Sequence, residues 1–142
     1  QLNFMIKNKI LISHTSYKII DTNNFTIGNR QAKRINYNDL IKSCDIGLST
    51  VMIKKALLNN NRFAKLKTKE DYILWLQLAK KNYIFHPIKK SLTSWRSLSD
   101  SLSSSIIQKL FDGYFVYRNY QKLSVLNSLY SLFILSINFL KK

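Results

Sequence analysis

Apolar and polar positions along this chain shift between the two-residue period of strands and the longer period of helices, and that shift sorts it into elements. Residues 1–8 carry the pattern of a helix end, and residues 9–21 are dense in β-branched and aromatic side chains, which predicts a strand. The Asp21-Thr-Asn-Asn24 cluster is turn chemistry and leads into Phe25-Thr-Ile-Gly28, so a hairpin is predicted. Asn36 is placed to cap a short helix over 37–43, with Asp39 close to the positive end of its dipole. Gly47 interrupts the chain ahead of Leu48-Ser-Thr-Val-Met-Ile53, a mostly apolar run that predicts a buried strand. Residues 54–60 suggest a helical turn or two, and residues 62–67 a loop.

The clearest helix signal covers 69–81. Thr68 is placed as its N-cap, with Asp71 three residues later in a near-capping-box pattern. Its apolar residues, Tyr72, Ile73, Leu74, Trp75, Leu76, Leu78 and Ala79, cover more than one stripe, which predicts a largely buried helix. Residues 83–88 read as a short strand broken by Pro87 and residues 91–96 as a second one. A serine-rich connector spans 97–105, and two helices over 106–120 and 124–140 close the chain. Strands and helices mixed in one short chain, ending in a helical pair, indicate part of an α/β or α+β domain.

Composition narrows the classes. With 142 residues, 46% of them hydrophobic, the chain can bury a core of its own, which excludes a disordered tail. The formal charge of +16 would suit nucleic acid or an anionic membrane. The lysines, however, are scattered as short pairs among Asn and Ile, and arginine is scarce. No nucleic-acid-binding motif is present, so that partner is disfavoured. Cys44 is alone, so no disulfide can close within one chain, and a reducing cytoplasm fits best. No secretory signal opens the sequence. Residues 123–140 form the one candidate membrane segment. Ser124, Asn127, Ser128, Ser131, Ser136 and Asn138 interrupt it, so a helix packed on the domain or lying on a bilayer is expected rather than a span.

Glu70 and Asp71 form an adjacent carboxylate pair in a chain with only seven acidic residues. In the first turn of a helix they can simply oppose the dipole. A carboxylate held there and partly desolvated can equally serve as a general base. Arg96 has the planar cation suited to paired phosphate oxygens, or is a strand-end surface charge. Trp75 suits the core, whereas Trp95 beside Arg96 is the better candidate for stacking on a sugar ring. Ser101 and Ser103 can contact substrate or cap the following helix. His14 and His86 lack carboxylate neighbours in sequence and read as structural. The remaining aspartates, Asp21, Asp39, Asp45, Asp100 and Asp112, are isolated, and no Asp-x-Asp occurs.

Glu70-Asp71-Tyr72-Ile-Leu74-Trp75-Leu76 resembles the segment by which family 2 glycosyltransferases place their catalytic aspartate, with Gln77 where the family often has arginine. Ile46-Gly-Leu-Ser49-Thr50-Val-Met-Ile53-Lys54 is similar to the strand leading to that family's acceptor site. Ser91-Leu-Thr-Ser-Trp95-Arg96 followed by Ser101-Leu-Ser103 resembles the elements after its catalytic helix. Gln1-Leu-Asn-Phe-Met5 and Ser13-His-Thr-Ser-Tyr17 are similar to the segments on the C-terminal side of its metal motif.

The resemblance implies the C-terminal part of a GT-A fold over residues 1–104 and a helical extension over 105–142 with peripheral membrane contact through 123–142. It implies inverting transfer from a nucleotide-sugar donor to a glycan or lipid-linked acceptor in surface polysaccharide synthesis, at the inner face of the cytoplasmic membrane. Asp71 or Glu70 would be the base, and Ser49, Thr50, Trp95, Arg96, Ser101 and Ser103 would contact substrate. A divalent Mg or Mn ion is expected for the complete enzyme but not for this chain, which begins at Gln1 and lacks the metal motif. The sugar-nucleotide half is therefore expected upstream, and the chain alone is expected to bind no donor and turn nothing over. The alternatives are a small basic module binding nucleic acid or membrane, or an inactive truncated remnant.

Overall fold

The computed structural model describes residues 1–59, 62–98 and 105–141. A four-stranded sheet is organised around β1 (Ile12–Ile20). Along one edge, β1 pairs antiparallel with β2 (Thr26–Arg30) through Tyr17↔Arg30 to Ile20↔Thr26, and with β3 (Val51–Ile53) through Ile12↔Ile53 to His14↔Val51. Along the other edge it pairs in parallel with β4 (His86–Arg96), from Ser13↔His86 to Ile20↔Arg96.

β1 is buried from Ile12 to Ser16, including four consecutive polar residues. Buried polar groups persist only where hydrogen bonds replace water, and each of these has a partner. Gln1 Nε2 donates to Ser13 Oγ at 3.0 Å, Ala32 N–H donates to Ser16 Oγ at 2.9 Å, and Thr15 Oγ1 donates to the Ser16 carbonyl at 3.0 Å. The His14 ring N–H donates from Nε2 to the Lys33 carbonyl at 2.8 Å, and burial lowers its pKa. The histidine is thus a core residue, as the sequence suggests. Gln1 also donates to the Thr50 carbonyl at 3.0 Å, and so ties α1 (Leu2–Lys7) to the sheet.

The β1–β2 turn forms as predicted, with Asp21 Oδ1 accepting from the Asn23 and Phe25 N–H groups at 2.9 and 2.8 Å. The helix over 37–43 shortens to α2 (Tyr37–Leu40), which carries a full capping box between Asn36 and Asp39. Residues 48–53 depart from the predicted buried strand. Leu48–Thr50 form a 3-10 turn and only Val51–Ile53 pair, half-buried at a sheet edge. A second 3-10 turn follows at Lys55–Leu58. The two strands predicted over 83–96 are one, because β4 pairs with β1 alone among the described residues. Pro87 then has no ladder donor to lose, and bulges opposite Thr15–Tyr17 absorb Lys89, Lys90 and Leu92.

α3 (Glu70–Lys80) lies at the centre of the core and buries the seven apolar residues expected of it. The Trp75 ring meets Phe85 edge-on at 5.5 Å and Phe63 at 6.4 Å. α4 (Ile106–Phe115) runs into a π-helical segment, Val116–Tyr120, and α5 (Val125–Leu140) turns back along it. Gly113 is buried where they touch. A Cβ there would stand 2.9 Å from Leu132 Cδ1, so its absence sets how near α5 can come. Val116, Tyr117 and Leu135 join the core built on α3. The Tyr72 hydroxyl donates to the Leu40 carbonyl at 2.6 Å and that of Tyr117 to the Ile41 carbonyl at 2.8 Å, so both cover the open end of α2. No described helix is long and apolar enough to cross a membrane.

Candidate functional site

The first turn of α3 is held in an unexpected way. Thr68 is not its N-cap. Lys69 occupies that position in a left-handed conformation, with φ 63°, and caps nothing with its side chain. The Thr68 N–H and hydroxyl both donate to Asp112 Oδ2 on α4, at 2.9 and 2.7 Å, and Gln108 Nε2 donates to Oδ1 of the same carboxylate at 2.9 Å. A buried carboxylate is a stronger acceptor for both Thr68 donors than the alternative, in which the hydroxyl would accept from the helix. A non-glycine residue at positive φ persists only where its surroundings over-determine it, and such residues gather at functional sites. The sequence offers one hint of this anchor: Asp112 is the one acidic residue of its helix.

With α3 so placed, Asp71 is partly buried at the junction of two cavities. Its Oδ1 accepts from the Tyr72 N–H at 2.7 Å. Burial raises the pKa of its carboxyl above the ordinary value, opposed by that hydrogen bond, reinforced by the negative charge of Glu70, and opposed again by Lys69. A carboxylate in this condition is a better proton acceptor than one in water.

The first cavity is a groove of about 680 Å³ between the 3-10 turn Leu48–Thr50, the end of the sheet and the start of α3. It brings together five of the residues expected to serve a site: Ser49, Thr50, Glu70, Asp71 and Trp95. Trp95 is 45% exposed, with ring surface available to a ligand. The Thr50 hydroxyl donates to the Gly47 carbonyl at 2.7 Å and the residue is buried, so it braces the 3-10 turn at the groove's wall. Tyr17, Arg30 and Asp45 also line this groove, although nothing in the sequence pointed to them. Asp45 is bridged to Lys33 at 2.7 Å and accepts from the Ser43 hydroxyl at 3.0 Å.

Arg96 stands apart from this groove. Its guanidinium donates to the Asp21 and Thr22 carbonyls at 2.8 and 3.3 Å and to Asn24 Oδ1 at 2.7 Å, and so clasps the β1–β2 turn. Ser101 and Ser103 lie outside the described residues. Among the described residues no group of three or more His, Cys, Asp or Glu side chains is placed to hold a metal ion.

Fold and site together define a mixed α/β domain that presents one partly desolvated carboxylate, backed by a buried helix, to a groove with hydroxyls and an exposed indole. The chain is related to glycosyltransferases, in agreement with the resemblance read from its sequence. It is 42% identical over 85 residues to the UDP-Glc:α-D-GlcNAc-diphosphoundecaprenol β-1,3-glucosyltransferase WfgD of Escherichia coli, a match covering 59% of this chain and 33% of WfgD. It is 29% identical over 110 residues to the enzyme of the same description named WfaP, also of Escherichia coli, covering 78% of this chain and 43% of WfaP. Over 125 residues it is 26% identical to TuaG, a Bacillus subtilis glycosyltransferase named for teichuronic acid biosynthesis, covering 87% of this chain and 50% of TuaG. The chain thus spans between a third and a half of the length of these relatives. No profile of a known protein family matches it.

Proposed function

We propose that residues 1–104 form the acceptor side of a GT-A glycosyltransferase domain of family 2, that residues 105–142 are its helical extension, and that Asp71 is the general base of an inverting transfer. The observation that carries this reading is the Asp71 carboxyl, desolvated and with a raised pKa, opening on the groove that also holds Ser49, Thr50 and Trp95. Asp71 takes the proton of an acceptor hydroxyl. The oxygen so freed attacks the anomeric carbon of a nucleotide-linked sugar, whose bond to the diphosphate oxygen breaks, and the nucleoside diphosphate leaves. Trp95 offers a face to a sugar ring and exposed Ser49 a hydrogen-bonding hydroxyl, while buried Thr50 holds the turn that carries Ser49. Burial raises the base's pKa, and the negative charge of Glu70 adds to that rise. Among the described residues no group of three or more His, Cys, Asp or Glu side chains is placed to hold a divalent Mg or Mn ion, so no step here passes through a metal.

The activities for which WfgD and WfaP are named support a lipid-linked glycan as acceptor and a nucleotide sugar as donor, and the name of TuaG supports a place in surface polysaccharide synthesis. Peripheral contact with the inner face of the cytoplasmic membrane fits the exposed Leu126, Tyr130, Phe133 and Leu140 of α5.

Asp71→Asn in the full-length protein, assayed for transfer from UDP-glucose to GlcNAc-diphosphopolyprenol, is expected to lower kcat by about 10²–10⁴, the usual contribution of a general base. A variant within about tenfold of the parent, a loss too small for a general base, would refute the assignment.

A further inference from the structure

Asp71 also lines a second cavity, of about 420 Å³, on the side of α3 that faces α4 and α5. Ile106 and Leu110 of α4 and Leu132, Leu135 and Phe139 of α5 make it strongly apolar. Its charged lining, besides Asp71, is Lys69 and Lys109. The Lys109 ammonium stands 5.1 Å from the centre of the Phe139 ring and that of Lys69 stands 5.6 Å from the Tyr72 ring. Neither forms an ion pair among the described residues. Burial lowers the Lys109 pKa, and the positive charge of Lys69 lowers it further. Lys69 and Lys109 disfavour each other's charge, which Asp71 offsets only for Lys69, so a multiply charged anion is favoured beside them, and an apolar ligand would release water from the rest of the groove.

We propose that this groove holds the diphosphate and the adjoining isoprenoid units of a polyprenyl-diphosphate-linked acceptor, with Lys69 and Lys109 on the diphosphate and α4 and α5 on the chain. The proposal rests on the glycosyl-transfer reading and names the acceptor subsite that reading requires. Three facts favour this occupant over a bulk phospholipid. A diphosphate carries more negative charge than a single phosphodiester and so gains more from two neighbouring cations. The cavity shares Asp71 with the polar groove, so a sugar attached to the diphosphate reaches the base while its lipid stays among Leu110, Leu132 and Phe139. The lining also extends to Leu140, 82% exposed, which gives the rest of a long chain an apolar route outward.

Geranylgeranyl diphosphate is the probe, titrated calorimetrically into the full-length protein. Saturable binding is expected, weaker by about tenfold or more for geranylgeraniol, for inorganic diphosphate and for the Lys69→Ala/Lys109→Ala variant, as loss of charge-assisted hydrogen bonds predicts. Ser136→Phe, whose ring would fill the groove, should weaken it comparably. Asp71→Asn removes a negative charge from the lining and should bind at least as tightly as the parent. Binding indifferent to the two lysines would overturn the proposal, as would binding matched by inorganic diphosphate or displaced equally well by phosphatidylglycerol vesicles. These outcomes are separate from the fate of the base. Transfer retained by Asp71→Asn removes the catalytic reading, whereas binding indifferent to the lysines removes the groove and leaves that reading standing.

Discussion

Asp112→Ala tests the anchor that sets the position of α3. The substitution strips the acceptor from the Thr68 N–H and hydroxyl, both in a residue only 7% exposed, and from the Gln108 amide. A buried donor left unpaired costs about 1–3 kcal/mol, and the Gln108 amide, being only partly buried, can turn to water. Two stranded donors therefore predict a destabilisation of about 2–4 kcal/mol. Asp112→Asn keeps one carbonyl oxygen for Thr68 and should cost about 1 kcal/mol. Equilibrium urea unfolding monitored by the fluorescence of buried Trp75 measures both. Thr68→Val, made alone and with Asp112→Ala, closes a double-mutant cycle in which a coupling of about 1–2 kcal/mol is expected. An Asp112→Ala loss below about 1 kcal/mol at unchanged slope, or a cycle without coupling, would mean that Thr68 finds other partners cheaply and that α4 does not hold the first turn of α3.

Two further outcomes depend on particular hydrogen bonds. The Tyr117 hydroxyl is pushed up to about 12 and that of Tyr72 is raised well above its ordinary value, both mainly by burial, while in the unfolded chain each titrates near 10. The native state then holds protons that the unfolded state releases, so stability should fall as pH rises from 10 toward 12, by about 1.4 kcal/mol per pH unit for each tyrosine. Tyr117→Phe should make the slope shallower by about 1.4 kcal/mol per pH unit, with Tyr17, Tyr37 and Tyr72, also raised, keeping the remainder, and an unchanged slope would place the titration elsewhere. Arg96→Ala removes three exposed hydrogen bonds to the β1–β2 turn, so it should cost about 0.5–1.5 kcal/mol in urea unfolding and leave KM and kcat of the full-length protein nearly unchanged. A large kinetic loss in a stable variant would show that the guanidinium leaves the turn for substrate.

Local chemistry is what the sequence makes legible. The seven apolar residues between Tyr72 and Ala79 cover the whole circumference of a helix, and such a helix can only be buried. Asn36 and Asp39 stand at the spacing that closes a capping box, and they close one. Asp71 is legible as a candidate because carboxylates are scarce here and because a first-turn position is fixed. Its desolvation is not, since that depends on α4 and α5. Thr68 misleads for the same reason: its spacing to Asp71 suits a cap, but its acceptor is 44 residues away on another helix. The continuity of β4 across Pro87 is hidden too, because a proline breaks a strand only where its missing N–H is needed, and edge position is a tertiary property. Arg96 has a planar donor fork that suits either a diphosphate or a pair of turn carbonyls, and sequence proximity cannot choose between them.

The placement of β1 has a consequence for synthesis. Its β2 and β3 edges can be satisfied by residues within about 40 positions downstream, but its parallel partner ends at Arg96, and Ile20 pairs with Arg96 itself. A chain leaving the ribosome therefore carries its central strand with one row of backbone donors and acceptors open until α3 and β4 have both emerged. Long-range parallel pairing of this kind is slow and leaves the nascent chain exposed to mispairing. Ser13, His14, Thr15 and Ser16, all polar in a strand that ends up buried, would then keep the waiting edge wet and poorly adhesive, so that β1 stays available for β4 rather than for another chain.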